Sequence, residues 1–222
     1  MASSETLSSL RTRVENSLQD AANAKWTAEQ IDEAITQALQ HYSQINPALT
    51  IGTVALSAAG REIDISTLTG LLDVLRVWWD YDSSDPSYPP NWRDFEVWPG
   101  DLLYIKDPAE PQSGDVVRVW YARPQTLNGL SAATATTFPP THERIIIQGA
   151  VAFALIARAA GRSEKVNTDT EMSQKLLAIA EGNMHEFKAA LNRIAAAAAA
   201  DASGIAPGPY LDRWDAQGDG WA

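Results

Sequence analysis

Three side chains in this sequence have the chemistry for proton transfer or metal binding near neutral pH: His41, His142 and His185. None stands in an H-x-H or H-x-x-x-H pair. There is no cysteine, so a zinc site would have to be gathered from distant residues. The plainer role for each is on a helix surface or at a helix start. Two acidic runs, "DYDSSD" at 80–85 and "DRWDAQGDG" at 212–220, bring carboxylates close together. Neither has alternating ligands, a mid-loop glycine and a closing glutamate, and aspartate is a common turn former. Among 28 acidic residues, nothing singles out two as the acid and nucleophile of a glycosidase. Ser131 in "GLSAAT" has no positioned base, and no G-x-S-x-G, G-x-x-x-x-G-K-[ST] or G-x-G-x-x-G occurs. The sequence reads as a non-enzyme without metal or cofactor.

Aromatic residues are the other side chains with recognition chemistry. Trp78, Trp79, Trp92, Trp98 and Trp120 fall in one β-like stretch. They suit a face for sugar or protein, and equally a sheet core. The tail "DASGIAPGPYLDRWDAQGDGWA" (201–222) has no helical or strand period, yet it carries Ile205, Tyr210, Leu211, Trp214 and Trp221. Apolar anchors on an extended segment suit a tail that orders on a partner, the alternative being a tail that folds back on its own domain, and these five are the candidate partner-binding residues.

The elements that must position these groups alternate in character. Leu7, Leu10, Val14 and Leu18 mark a short amphipathic helix. In "AKWTAEQIDEAITQALQHYSQ", Thr27 and Gln30 form a capping box and Trp26 can staple onto Ile31. Ile31, Ile35, Leu39 and Tyr42 make its apolar stripe, which ends before Pro47. Residues 1–48 thus read as a helical hairpin.

Residues 49–121 read as an antiparallel β insertion of six short strands. Among these, "TIGTVALS" and "REIDIS" are joined as a hairpin through "AAG". Strict alternation in "DVLRVWWDY" puts Val74, Arg76, Trp78 and Asp80 on one side and Leu75, Val77, Trp79 and Tyr81 on the other. Residues 122–140 form a Thr- and Ala-rich loop of the kind that is usually functional or mobile.

Helices return at 141–200, packing with 1–48. "THERIIIQGAVAFALIARAAG" reads as a buried central helix capped by Thr141 and closed by Gly161. "TDTE" (168–171) is a second capping box, starting a helix that runs to about Ala200. Its apolar face is Met172, Leu176, Ile179, Phe187, Leu191 and Ile194, and it ends in an alanine run. The fold class is α+β.

A formal net charge of −11 argues against a grip on nucleic acid, which needs a basic face. The plainer reading is that the charge confers solubility, and it also suits a wall past which DNA slides. Uninterrupted apolar stretches fall short of a bilayer span, so no transmembrane helix is expected. "MASSETLSSL" lacks the basic and apolar regions of a secretory signal. The absence of cysteine fits assembly in a reducing cytoplasm.

The order of segments carries a family resemblance. The pattern W-T-A-E-Q-I-D-E-A-I-x-x-A-L-x-x-Y-S starts at Trp26. It is followed by R-E-I-D-I-S-x-L-x-G-L-L-x-V-x-R-V-W from Arg61, D-V-V-R-V-W-Y from Asp115, and P-x-x-x-E-R-I-I-I-x-G-A-V-A-F-A-L from Pro139. Across nearly the whole chain this resembles the head–tail connector (adaptor) proteins of tailed bacteriophages. The resemblance implies packed helices carrying a β insertion, a virion neck location and assembly in the host cytoplasm. It implies a twelve-fold ring under the portal protein, in contact with a downstream neck or tail protein. It also implies a C-terminal segment docked on the portal and a channel through which DNA passes without specific binding. The Trp-rich insertion and the 122–140 loop have no place in that pattern. The alternative function is a carbohydrate- or protein-binding module that uses the Trp-rich β segment.

Overall fold

The computed structural model describes residues 3–20, 25–84, 90–163 and 170–203. The chain forms two compact units, Met1–Asn46 with Gln125–Ala222, and Pro47–Pro124. Among the described residues, four α-helices and two antiparallel sheets make it an α+β protein.

The first unit is helical, with α1 (Leu7–Ser17), α2 (Ala28–Ile45), α3 (Glu143–Ser163) and α4 (Thr170–Ser203). The reciprocal capping box that starts α2 is present: Gln30 N–H donates to the Thr27 hydroxyl, and Thr27 N–H donates to the Gln30 side chain. Ile31, Ile35, Leu39 and Tyr42 are buried along one face, as their spacing requires, with Ala34 and Ala38 beside them. Trp26 is buried ahead of the cap, and its indole N–H donates to the Ala154 carbonyl at 3.1 Å. Arg11 reaches Asp32 through two nitrogens, at 2.8 and 2.6 Å, tying α1 to α2. Arg13 ties α1 to the first turn of α3 through Glu143, at 2.8 Å.

At the centre α3 packs against α1, α2 and α4. It differs from the expected helix at both ends. Thr141 lies within a 3-10 turn, Pro140–His142, that precedes α3 and has no side-chain cap. Proline at the first position supplies the required φ and has no N–H to satisfy. Gly161 lies inside the helix, which continues to Ser163. The stretch Pro140–Gly161 is long and apolar enough to cross a bilayer, contrary to the reading of its apolar runs, but half of its most apolar window is buried. Ile146, Ala150 and Ala154 are fully or almost fully buried, as in the core helix of a globular unit.

The second unit holds β1 (Ala48–Ala55), β2 (Glu62–Asp64), β3 (Asp73–Trp79), β4 (Trp92–Arg93), β5 (Phe95–Trp98), β6 (Leu102–Ile105) and β7 (Val116–Arg123). One sheet has the order β1-β7-β3-β4, the other β2-β6-β5. The expected β1–β2 hairpin does not form: β1 pairs with β7, and β2 pairs with β6 in the other sheet. The two sheets share one core, with Val54, Val77, Val117 and Val119 from the first against Ile63, Leu103 and Ile105 from the second.

The alternation in β3 is interrupted. Val74 pairs with Tyr121, and Arg76 with the next residue, Trp120, which leaves Leu75 as a bulge. The bulge moves Val74 to the core side with Val77 and Trp79, while Arg76 and Trp78 keep the outer side.

Candidate interaction surfaces

The three histidines are not brought together. His41 stacks on Phe153 with ring centroids 5.4 Å apart. His142 stands at the start of α3 with Nδ1 at 2.6 Å from the Tyr42 hydroxyl. Asn46 donates to that same hydroxyl at 2.5 Å, and the direction of the phenol–imidazole bond follows the tautomer of the ring. Burial pushes the His142 pKa down and the Tyr42 pKa up, and both shifts favour the neutral pair. No group of three or more His, Asp and Glu side chains capable of holding a metal occurs among the described residues. In the first acidic run, the Asp82 carboxylate accepts from Ser84 N–H and Oγ, at 2.8 and 2.7 Å, which is a turn-forming role. The run at 212–220 lies outside the described residues.

Threonines explain the composition of the long loop. The Thr137 hydroxyl accepts from Thr126 N–H and donates to Gln125 Oε1. The Thr136 hydroxyl accepts from Asn128 N–H and donates to the Glu5 carbonyl. Leu7 N–H donates to the Asn128 carbonyl at 2.8 Å, and Ser3 N–H to Phe138 at 2.9 Å. The segment is stapled to itself and to the residues preceding α1. Ser131 and Ala132 both take positive φ at its tip, 49° and 62°.

A cleft of about 490 Å³ in the helical unit is lined by Trp26, Val151, Leu155, Arg158, Leu176 and Ile179, among others. The Arg158 guanidinium lies 4.5 Å from the Trp26 ring centroid at its side.

The most developed surface is the outer face of the four-stranded sheet. Two triplets of the same sequence build it: Arg76-Val77-Trp78 on β3 and Arg118-Val119-Trp120 on β7. Antiparallel pairing centres Val77 on Val119, so Arg76 faces Trp120 and Trp78 faces Arg118. Trp78 and Trp120 lie nearly parallel, with centroids 6.3 Å apart, and Trp92 from β4 meets Trp120 edge-on at 5.0 Å. The Arg76 guanidinium sits 5.0 Å from the Trp92 centroid. That of Arg118 lies 4.5 Å from Tyr81 and 5.1 Å from Trp120. A guanidinium over a ring face takes the position a stacked sugar would need, so this cluster does not form an open sugar platform. Leu49 and Ile51 on β1 extend the face and are about half exposed.

The sequence pattern singled out these tryptophans but not the reciprocal arginines. The repeated R-V-W triplet was the available signal. Of the other aromatics, Trp79 is buried in the core, where its indole N–H donates to Asp115 at 3.0 Å, and Trp98 stacks on Tyr104 in the three-stranded sheet. The candidate partner-binding residues Ile205, Tyr210, Leu211, Trp214 and Trp221 all lie outside the described residues.

A sequence profile of the SU10 adaptor protein family matches residues 5–208. The chain belongs to that family. No curated protein matches it. The match takes in both the helical unit and the β unit, and it makes the chain a structural adaptor of the bacteriophage head–tail region. The adaptor therefore works through association with other virion proteins, and its surfaces are where that function resides.

Proposed function

We propose that this adaptor forms a ring below the portal, twelve-fold as the resemblance implies, and links the capsid portal to the downstream neck or tail protein. The observation that carries this reading is the adaptor-family match across residues 5–208. In this reading residues 204–222 dock on the portal through Ile205, Tyr210, Leu211, Trp214 and Trp221. Four apolar or aromatic side chains and a tyrosine on a segment rich in Gly and Pro supply hot-spot contacts at the cost of ordering the segment on binding. The net charge of −11 suits a channel that lets DNA pass without holding it. Assembly takes place in the host cytoplasm, and the role is structural rather than enzymatic.

The test combines the purified chain with the portal ring of the same phage and measures mass by light scattering after gel filtration. Co-elution of the portal with a ring's worth of adaptor is the expected result. Correctly folded adaptor that elutes apart from both empty portals and DNA-filled heads overturns the reading.

A further inference from the structure

The β unit has two outer faces, turned away from the shared core on either side of it, and they differ in charge. On the four-stranded sheet the rows across the strands read Thr53–Arg118–Trp78 and Ile51–Trp120–Arg76. Leu49 and Ile51 are 49% and 46% exposed at its β1 side, and Asp73 marks its far end. Trp78 is only 6% exposed, yet its indole N–H has no acceptor among the described residues, and neither does Arg118 Nε–H. Both donors are buried within the face, which presents arginine guanidinium groups and aromatic edges.

On the three-stranded sheet the rows read Glu62–Tyr104–Glu96 and Asp64–Leu102–Trp98. Trp98 and Tyr104 stack with centroids 4.7 Å apart, and Trp98 is 36% exposed. Lys106 pairs with Glu96 at 2.5 Å, which leaves Glu62 and Asp64 to set the sign. This face holds carboxylates around an aromatic pair.

We propose that the Arg/Trp face of one adaptor docks on the acidic Trp98–Tyr104 face of a second copy, so that the β units associate head to tail. The charges are complementary, and each face exposes apolar side chains for the other to cover. An interface between two different faces of one chain is heterologous, and repetition of it closes a ring when the rotation per copy permits. This deepens the proposed ring and rests on that reading, because only a closed or repeating assembly uses both faces of every copy.

The chain has no cysteine, so single cysteines report on contacts directly. Thr53→Cys marks the edge of the arginine face, and Ser66→Cys, following Asp64, marks the acidic one. The two variants are treated with a bismaleimide, alone and mixed, both as free protein at high concentration and on the portal ring. The expected result is a mixed cross-linked dimer and no product from either variant alone. Cross-linking of either variant to itself, or no mixed product in either setting, overturns the proposal.

Charge reversal supplies the second readout. Arg76→Glu with Arg118→Glu, or Glu62→Arg with Asp64→Arg, should weaken self-association at least about tenfold. Mixing the two double variants should restore it, because each then offers a face opposite in charge to the other's. Restoration separates a lost interface from a lost fold, and its absence counts against the proposal. Portal co-elution without the mixed cross-link overturns this inference alone. A mixed cross-link in free protein with no portal binding overturns the portal reading and leaves this one standing.

Discussion

Tyr42 and His142, one hundred residues apart in sequence, share a hydrogen bond of 2.6 Å between the phenol oxygen and Nδ1. It fastens the last turn of α2 to the start of α3, and Asn46 completes it from the other side of the phenol. Tyr42 is fully buried. Removing its hydroxyl leaves Asn46 without its acceptor and Nδ1 without its partner. Tyr42→Phe should therefore destabilise the helical unit by about 1–3 kcal/mol, read as a lower urea midpoint in circular dichroism. An unchanged midpoint would show that water replaces the phenol at no cost.

The same pair gives the helical unit a pH dependence. Burial lowers the His142 pKa in the folded chain, so the unfolded chain binds the proton more readily. The stability due to the neutral imidazole is fully present above its unfolded value of about 6.5 and is lost as pH falls through the folded pKa. Glu143 acts in a lower window. Hydrogen bonds, first from Ser3 and then from Arg13, hold its carboxyl below the ordinary glutamate value, so that contribution is lost only at more acid pH. Urea midpoints measured from pH 7 downward should fall in two steps, and His142→Gln should remove only the upper one. If the upper step survives in His142→Gln, it belongs to another group.

Two glycines of α3 should respond in opposite ways to alanine. A Cβ at Gly149 would stand 2.9 Å from two ring atoms of Phe187 and 3.0 Å from Ala38, where α2, α3 and α4 crowd together. Phe187 is 1% exposed and has no room to turn away. Overpacking of about 1–3 kcal/mol should exceed the roughly 1 kcal/mol gained in helix propensity. Gly161 has nothing within 4 Å of the same position, so there the propensity gain stands alone. Thermal melts of Gly149→Ala and Gly161→Ala should shift down and up respectively.

Local features were legible in the sequence, and long-range pairings were not. The Thr27–Gln30 capping box, the α2 stripe and the order of helices and strands follow from spacing and propensity within a few residues. The placement of β1 beside β7 joins segments about seventy residues apart, and nothing in "AAG" forbids the nearer hairpin. The Leu75 bulge is set by its partner strand rather than by its own sequence. On α4, hydrophobicity ranks Ile179 above Ala180, but Ala180 is fully buried and Ile179 is 56% exposed. Small side chains let α3 and α4 approach closely, which a ranking by apolarity misses. The arginine–tryptophan face was written in the repeated R-V-W triplets, and only the register shows that they answer one another.

That exchange on α4 has a direct test. Phe187→Ala should cost about 3–5 kcal/mol, since it empties a buried site between α2, α3 and α4. Ile179→Ala should stay within about 0.5 kcal/mol by the same urea assay, as for an exposed position. A large loss at Ile179 would mean that the helix faces the other way.

The tail is where stability and assembly should separate. Residues 204–222 follow the last residue of α4, Ser203, and carry all five candidate docking side chains. Their removal should leave the helical circular dichroism and the urea midpoint unchanged while weakening binding to the portal ring. Trp214→Ala and Trp221→Ala should each cost on the order of 2 kcal/mol of that binding if they act as hot spots, measured by titration against portal. A tail deletion that lowers the urea midpoint instead would place these side chains against their own helical unit. Unchanged portal binding in all three variants would remove the tail from the interface and turn attention to the β unit, whose arginine and acidic faces remain intact in each of them.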